Sequence, residues 1–134
     1  MRSDDPTKPP PTTDPATEVL ALLEASGALR RGHFQLSSGL HSPAYVQCAL
    51  LLEEPRRARR VGELLAARLA GVPVGSVLSP ALGGVIIGHE VAAALGVPFR
   101  FAERVDAALA LRRGFALREG ERVVVIEDVV TTGK

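Results

Sequence analysis

There is no tryptophan in this chain, one tyrosine and four phenylalanines, so its core has to be built from aliphatic side chains. The single cysteine, Cys48, rules out an internal disulfide and suits a reducing compartment. Neither sign of charge is in excess: 16 basic against 15 acidic residues give a formal net charge of +1. That balance offers no general attraction to nucleic acid or to a membrane surface. No apolar run approaches the ~20 residues of a membrane span, and the opening MRSDDPTKPPPTTDP lacks the apolar stretch of a secretory signal. A cytoplasmic protein is the expectation. What remains is an ordinary globular mixture, 46% hydrophobic and 23% charged over 134 residues, about the size of one domain.

Along the chain, residues 1–13 hold four of the ten prolines and almost nothing apolar, which predicts a disordered tail ahead of one domain over 14–134. Asp14-Pro15 reads as an N-cap and first-position proline, with Ala16, Val19, Leu20, Leu22 and Leu23 at helical spacing up to Gly27. Short extended runs at 33–36 and 44–47 around a Ser/Gly/Pro turn suggest a hairpin. Pro55 opens a second helix to about Leu69, with Ala58, Val61, Leu65 and Leu69 inward. The pattern then predicts a strand over 74–79, a helix over 85–95 and a strand over 99–103. Extended pieces at 107–111 and 113–117 and a last strand at 122–127 follow. Strands alternating with helices imply an α/β fold with a parallel sheet.

That last strand runs through Val123, Val124, Val125 and Ile126 into two adjacent carboxylates, Glu127 and Asp128, and then VVTTG. Ligands of open parallel sheets bind beyond the carboxyl ends of the strands. Two acids there suit sugar hydroxyls, while Thr131, Thr132 and the flexible backbone at Gly133 suit a phosphate. Together they suit a phosphorylated ribose. VVVIEDVVTTG resembles the phosphoribosyl-pyrophosphate (PRPP) loop of the type I phosphoribosyltransferases. The resemblance implies that Glu127 and Asp128 hold the ribose hydroxyls and that Val129, Val130, Thr131, Thr132, Gly133 and Lys134 wrap the 5′-phosphate.

FQLSSGLHSPAY, residues 34–45, resembles the hood segment of the orotate phosphoribosyltransferases, with Phe34, Leu36, Ser38, Gly39, Ser42, Pro43 and Tyr45 in register and Ser37 where a lysine is frequent. It implies orotate contacts from Ser38 and Gly39, joined by Thr131. On turn chemistry alone, a ligand-free hairpin turn accounts for it equally well. Ala81, Leu82, Gly83 and Gly84 fall where the family has its pyrophosphate loop, with Gly83 in place of a lysine. A tight strand–helix packing turn is the other reading of that Gly-Gly pair. The stretch FAERVDAALALRRGF matches the family's mobile catalytic loop and aligns Arg104 with a phosphate-binding lysine. Arg112 and Arg113 read either as further charge for a partner's site or as solvent-facing residues of an edge hairpin. His33, His41 and His89 are too scattered for a metal cluster, Gly133-Lys134 lacks the leading glycine of a P-loop, and Cys48 reads as a packing residue.

The resemblance thus implies a type I phosphoribosyltransferase-like parallel sheet flanked by helices, with a small N-terminal hood. It implies transfer of the phosphoribosyl group from PRPP to orotate, giving orotidine 5′-monophosphate and pyrophosphate, in pyrimidine synthesis. Mg²⁺ would be carried by PRPP without a direct protein metal site, and a homodimer would share its active sites. It also implies further elements after Lys134, so a C-terminally truncated chain is expected, inactive alone. A purine-type phosphoribosyltransferase, or a non-catalytic PRPP-sensing regulator on the same fold, are the alternatives.

Overall fold

Asp14 starts the first helix. Its carboxylate accepts the Thr17 amide at 3.2 Å and Pro15 takes the first helical position, giving α1 over Pro15–Ala25. The structure, a computed structural model, describes residues 13–133; the tail expected over 1–13 falls almost wholly outside them, as does the phosphate contact expected of Lys134. Val19, Leu22 and Leu23 of α1 are half-buried, while Leu20 stays 47% exposed.

The hood is an antiparallel hairpin of β1 (Leu29–Gln35) and β2 (His41–Val46), with a register break between Arg31 and Phe34. A short helix that the sequence pattern did not indicate, α2 (Cys48–Leu52), connects it to the core by burying Leu51 and Leu52. Its five residues are too few to display a period. Helix α3 (Pro55–Arg68) follows, its N-cap Glu54 accepting the Arg56 and Arg57 amides at 3.2 and 3.0 Å. Its inward face differs from the expected one: Ala58, Val61, Gly62 and Ala66 are buried, whereas Leu65 is 38% exposed and Leu69 half-buried. Small residues line that face because α4 crosses there.

The main sheet comprises β3 (Ser76–Pro80), β4 (Phe99–Val105), β5 (Ala108–Leu111) and β6 (Val123–Val125), in the order β5-β4-β3-β6. Central β3 is parallel to both β4 and β6, and β5 closes one edge antiparallel to β4. The connection from β3 to β4 is α4 (Val85–Leu95), ended by Gly96 in the left-handed conformation. Val77 and Val91 are fully buried at the sheet–helix interface, with Ala58, Val61 and Ile87 around them. The expected α/β sheet with its hood therefore forms, with one antiparallel edge strand added. Two local expectations are corrected. Residues 113–117 are not extended: Arg113 has φ 60° and turns the chain. The last strand is Val123–Val125, since beyond Ile126 the backbone leaves the ladder.

Candidate active site at the carboxyl edge of the sheet

The strands β3, β4 and β6 all point their carboxyl ends at one cleft of about 560 Å³. Its floor is apolar, from Leu78, Ala102, Leu109, Leu111 and Val125. Its polar wall is Glu127 with Thr131, Thr132 and Gly133, and Arg104 reaches in from β4. Of the residues singled out in the sequence, Arg104, Glu127 and Val129–Gly133 are thus brought together.

The acidic pair sits where the sheet ends. The Ile126 amide donates to Leu78 O at 3.0 Å, after which Glu127 and Asp128 are no longer paired in the ladder. The Asp128 amide is satisfied by Glu127 Oε1 at 2.9 Å. Both acids are half-buried. Burial, reinforced by the neighbouring Asp128 carboxyl, pushes the Glu127 carboxyl above the usual carboxylate range. An ionised Glu127 is therefore uncomfortable until hydroxyl donors or positive charge meet it.

The Ala81–Gly84 loop lies behind the pair and does not line the cleft. Its Ala81–Leu82 peptide bond is cis, and Leu82 is 86% exposed. Gly83 and Gly84 are close to residues 126–128. A Cβ on Gly83 would lie 2.7 Å from Asp128 Oδ1, and one on Gly84 would lie 2.9 Å from Ile126 O. A side chain at Gly84 would run into backbone, whereas one at Gly83 would have to push the Asp128 carboxylate aside.

The hood turn is elsewhere. Ser38 and Gly39 stand at the exposed tip of the hairpin, outside the cleft lining, and Gly39 has φ +84°. Arg113 is held by Glu103 through two 2.9 Å bonds, with its guanidinium 5.7 Å from the Phe101 ring centroid. It is thus engaged within its own edge, while Arg112 is exposed. Sequence reasoning missed Cys48 as a neighbour of the site: its Sγ lies 3.6 Å from Asp128 O, across 80 residues of chain. No local pattern carries such a long-range contact. Among the described residues no group of three or more His, Cys, Asp or Glu side chains gathers to hold a metal.

No family model matches the chain. It is 50% identical over 116 residues to an orotate phosphoribosyltransferase of Pelotomaculum thermopropionicum, covering 87% of this chain and 61% of that protein. Against the orotate phosphoribosyltransferase of a Nitratiruptor species the identity is 48% over 118 residues, with 87% and 58% covered. The chain spans about six-tenths of the length of these curated relatives. Among solved structures, Leishmania donovani UMP synthase superposes with a TM-score of 0.73 at 28% identity, covering 87% of this chain and 25% of that one. The orotate phosphoribosyltransferase of Aeropyrum pernix gives 0.66 at 28% identity, with 86% and 67% covered. Sheet order, hood and acidic loop, together with these likenesses, define a type I phosphoribosyltransferase fold. Within that class, the curated relatives the chain resembles at 44–50% identity are orotate phosphoribosyltransferases.

Proposed function

We propose that this chain carries the PRPP site of an orotate phosphoribosyltransferase. The complete enzyme would transfer the phosphoribosyl group of PRPP to orotate, releasing pyrophosphate and forming orotidine 5′-monophosphate. The observation that carries this reading is the meeting of Glu127, the Thr131–Gly133 loop and Arg104 at one cleft beyond the strand ends. Orotate as the base is supported by the relatives at 44–50% identity, which are orotate phosphoribosyltransferases.

In this reading Glu127 and Asp128 accept hydrogen bonds from the ribose 2′- and 3′-hydroxyls. Val129 to Gly133 present backbone N–H groups and threonine hydroxyls to the 5′-phosphate, with Lys134 continuing that loop. Arg104 faces the diphosphate. The Ala81–Gly84 backbone approaches the same group from behind the acids, and Thr131 lies toward the base, which Ser38 and Gly39 of the hood would cover. As the C1′–O bond to diphosphate breaks, its electron pair leaves with pyrophosphate and the ribose carbon becomes cationic. A ring nitrogen of anionic orotate then donates its pair to form the C1′–N bond. The half-buried carboxylates beside the sugar favour that charge, so the site acts by positioning and electrostatics.

Mg²⁺ fits this donor set as a substrate-borne ion. It would arrive on PRPP, held by the diphosphate and ribose oxygens that a hard cation prefers, while the two carboxylates stay with the ribose hydroxyls. When bound, it neutralises the diphosphate. Shared sites in a homodimer, with Arg112 offered across the interface, and a cytoplasmic location complete the proposal. Arg112 is exposed, and no helix among the described residues is long and apolar enough to cross a membrane.

The test is an assay with PRPP and Mg²⁺ and, in turn, orotate, adenine or hypoxanthine. Turnover of orotate alone is expected. Turnover of a purine base, or PRPP binding without turnover of any base, would replace this reading with a purine enzyme or a PRPP sensor.

A further inference from the structure

We infer that the Cys48 thiol is a positioning group for the acidic loop: its S–H donates to the main-chain carbonyl of Asp128 and fixes where the Asp128 carboxylate stands. The inference rests on the functional reading above.

Backbone accounting leads to it. Once Ile126 has made the last ladder bond to Leu78, each later peptide group needs a partner outside the sheet or must face water. Asp128 is half-buried, and both of its backbone groups are met by side chains. Its amide goes to Glu127 Oε1 at 2.9 Å, and its carbonyl accepts from Cys48 Sγ at 3.6 Å. The first contact is local. The second ties the loop to another part of the molecule.

The anchor itself is firm. Cys48 is the first residue of α2, which is held by buried Leu51 and Leu52 at its other end. Just ahead of it, the Gln47 amide donates to Ala28 O at 2.8 Å. Behind the acidic loop lies an apolar cavity of about 410 Å³, lined by Val19, Leu23, Cys48, Ile87 and Asp128 among others. Side-chain packing alone therefore leaves space beside the loop. A protonated thiol is needed to donate, and burial first, with the Asp128 carboxylate second, keeps the Cys48 thiol protonated. On the opposite side, Gly83 stands so close to the Asp128 carboxylate that no Cβ fits between them. Asp128 is thus bounded by a glycine at its carboxylate and by a thiol at its carbonyl. Through Cys48 the base of the hood is coupled to the group proposed to hold the ribose.

The experiment compares the complete enzyme that carries this chain with its Cys48→Ala and Cys48→Ser variants. Amide hydrogen exchange and PRPP and orotate kinetics are measured on all three. Serine keeps an O–H donor on the same Cβ, which bonds once the loop closes on it by the difference between a sulfur and an oxygen contact; alanine keeps the small apolar volume without one. Loss of one hydrogen bond is expected to raise KM for PRPP about three- to tenfold in Cys48→Ala, with kcat changed less than twofold. Exchange should quicken over 127–133 and stay unchanged over 76–80. Cys48→Ser should restore both readouts to within about twofold of wild type. A packing role predicts the reverse order, because a hydroxyl beside an apolar cavity is worse than a methyl. The inference is overturned if alanine leaves exchange over 127–133 unchanged, or if serine is no better than alanine. If the complete wild-type enzyme turns over no base, the functional reading fails, whereas the exchange pattern still decides the role of the thiol.

Discussion

Gly83 and Asp128 are in face-to-face contact: a Cβ built on Gly83 would lie 2.7 and 2.9 Å from the two carboxylate oxygens of Asp128. Two loops that are 45 positions apart in sequence thus stand against each other, one from the end of β3 and one from the end of β6. The consequence is that the first loop limits where the second can place its acid.

The first prediction follows from that contact. In Gly83→Ala the new methyl forces the Asp128 carboxylate aside, since separations under 3.0 Å are not tolerated. Gly83 is exposed and its backbone is not in the left-handed region, so the fold should survive. If the displaced carboxylate loses one hydrogen bond to the ribose, PRPP affinity falls roughly ten- to a hundredfold. Calorimetric titration with PRPP beside a thermal melt checks this. Unchanged affinity would mean that Asp128 does not touch the ligand.

Much of this arrangement was legible beforehand, and the limits have physical causes. Asp14-Pro15 and the Pro55 start are local signals, and the helices begin where those signals stand. The acidic strand end was legible because four apolar residues followed by two carboxylates is a local pattern as well. Helix α2 was not, being too short to show a period. The buried face of α3 was misread at Leu65, because close approach to α4 selects glycine and alanine over leucine, and hydrophobicity alone ranks them the other way; Leu69 packs against the core as expected. Arg113 shows the same limit: Arg-Arg-Gly-Phe does not reveal that Glu103, ten residues earlier, binds its guanidinium. The contacts of Cys48 and Gly83 with Asp128 depend on chain closure over 80 and 45 residues, which no local pattern encodes.

A second prediction sets stability against function at Glu127. Its carboxyl is pushed above the ordinary range by burial and by Asp128. The folded state therefore binds this proton more tightly than the unfolded state does. The associated stability is present below the unfolded pKa, roughly 4.3, and is lost as pH rises through the higher folded value. At pH 7 the ionised side chain disfavours folding. Glu127→Gln should accordingly melt above wild type at pH 7, the gap closing toward pH 4, while PRPP binding weakens at least about tenfold. Melting curves across that range, with titrations at pH 7, provide the check. A variant that melts lower at pH 7 would contradict the sign.

The third prediction concerns the opposite sign, at Glu121. Arg118 N–H donates to its carboxylate at 3.0 Å and Arg100 Nη1 lies 3.1 Å away, both side chains of the ion pair being largely enclosed. The Arg118 amide, with Arg100, holds the Glu121 carboxyl down at about 2. Here the unfolded state takes up the proton first as pH falls. The contribution is present above roughly 4.3 and is lost as pH drops through about 2. Urea midpoints of wild type should decline over that acid window, and those of Glu121→Gln should start lower and decline less. Parallel declines in the two proteins would show that other carboxylates set the acid limit.

The last prediction concerns a packing constraint away from the site, where α3 crosses α4. A Cβ on Gly62 would come within 2.6 Å of Glu90 Cβ and 2.8 Å of its carbonyl carbon. Neither atom is the free end of a flexible side chain, so relief requires the helices to part. Substituting alanine for glycine inside a helix ordinarily stabilises by about 1 kcal/mol. Overpacking of a close interface costs typically ~1–3 kcal/mol, and at these separations it should exceed the propensity gain. Gly62→Ala is therefore expected to lower the melting temperature by several degrees. The carboxyl edge of the sheet should also shift, because Gly84, the N-cap of α4, stands against the acidic loop. Urea denaturation measures the first effect, and amide exchange over 127–133 reports the second. An increase in stability would show that α3 and α4 separate freely, and the close crossing could not then be what holds the two loops in register.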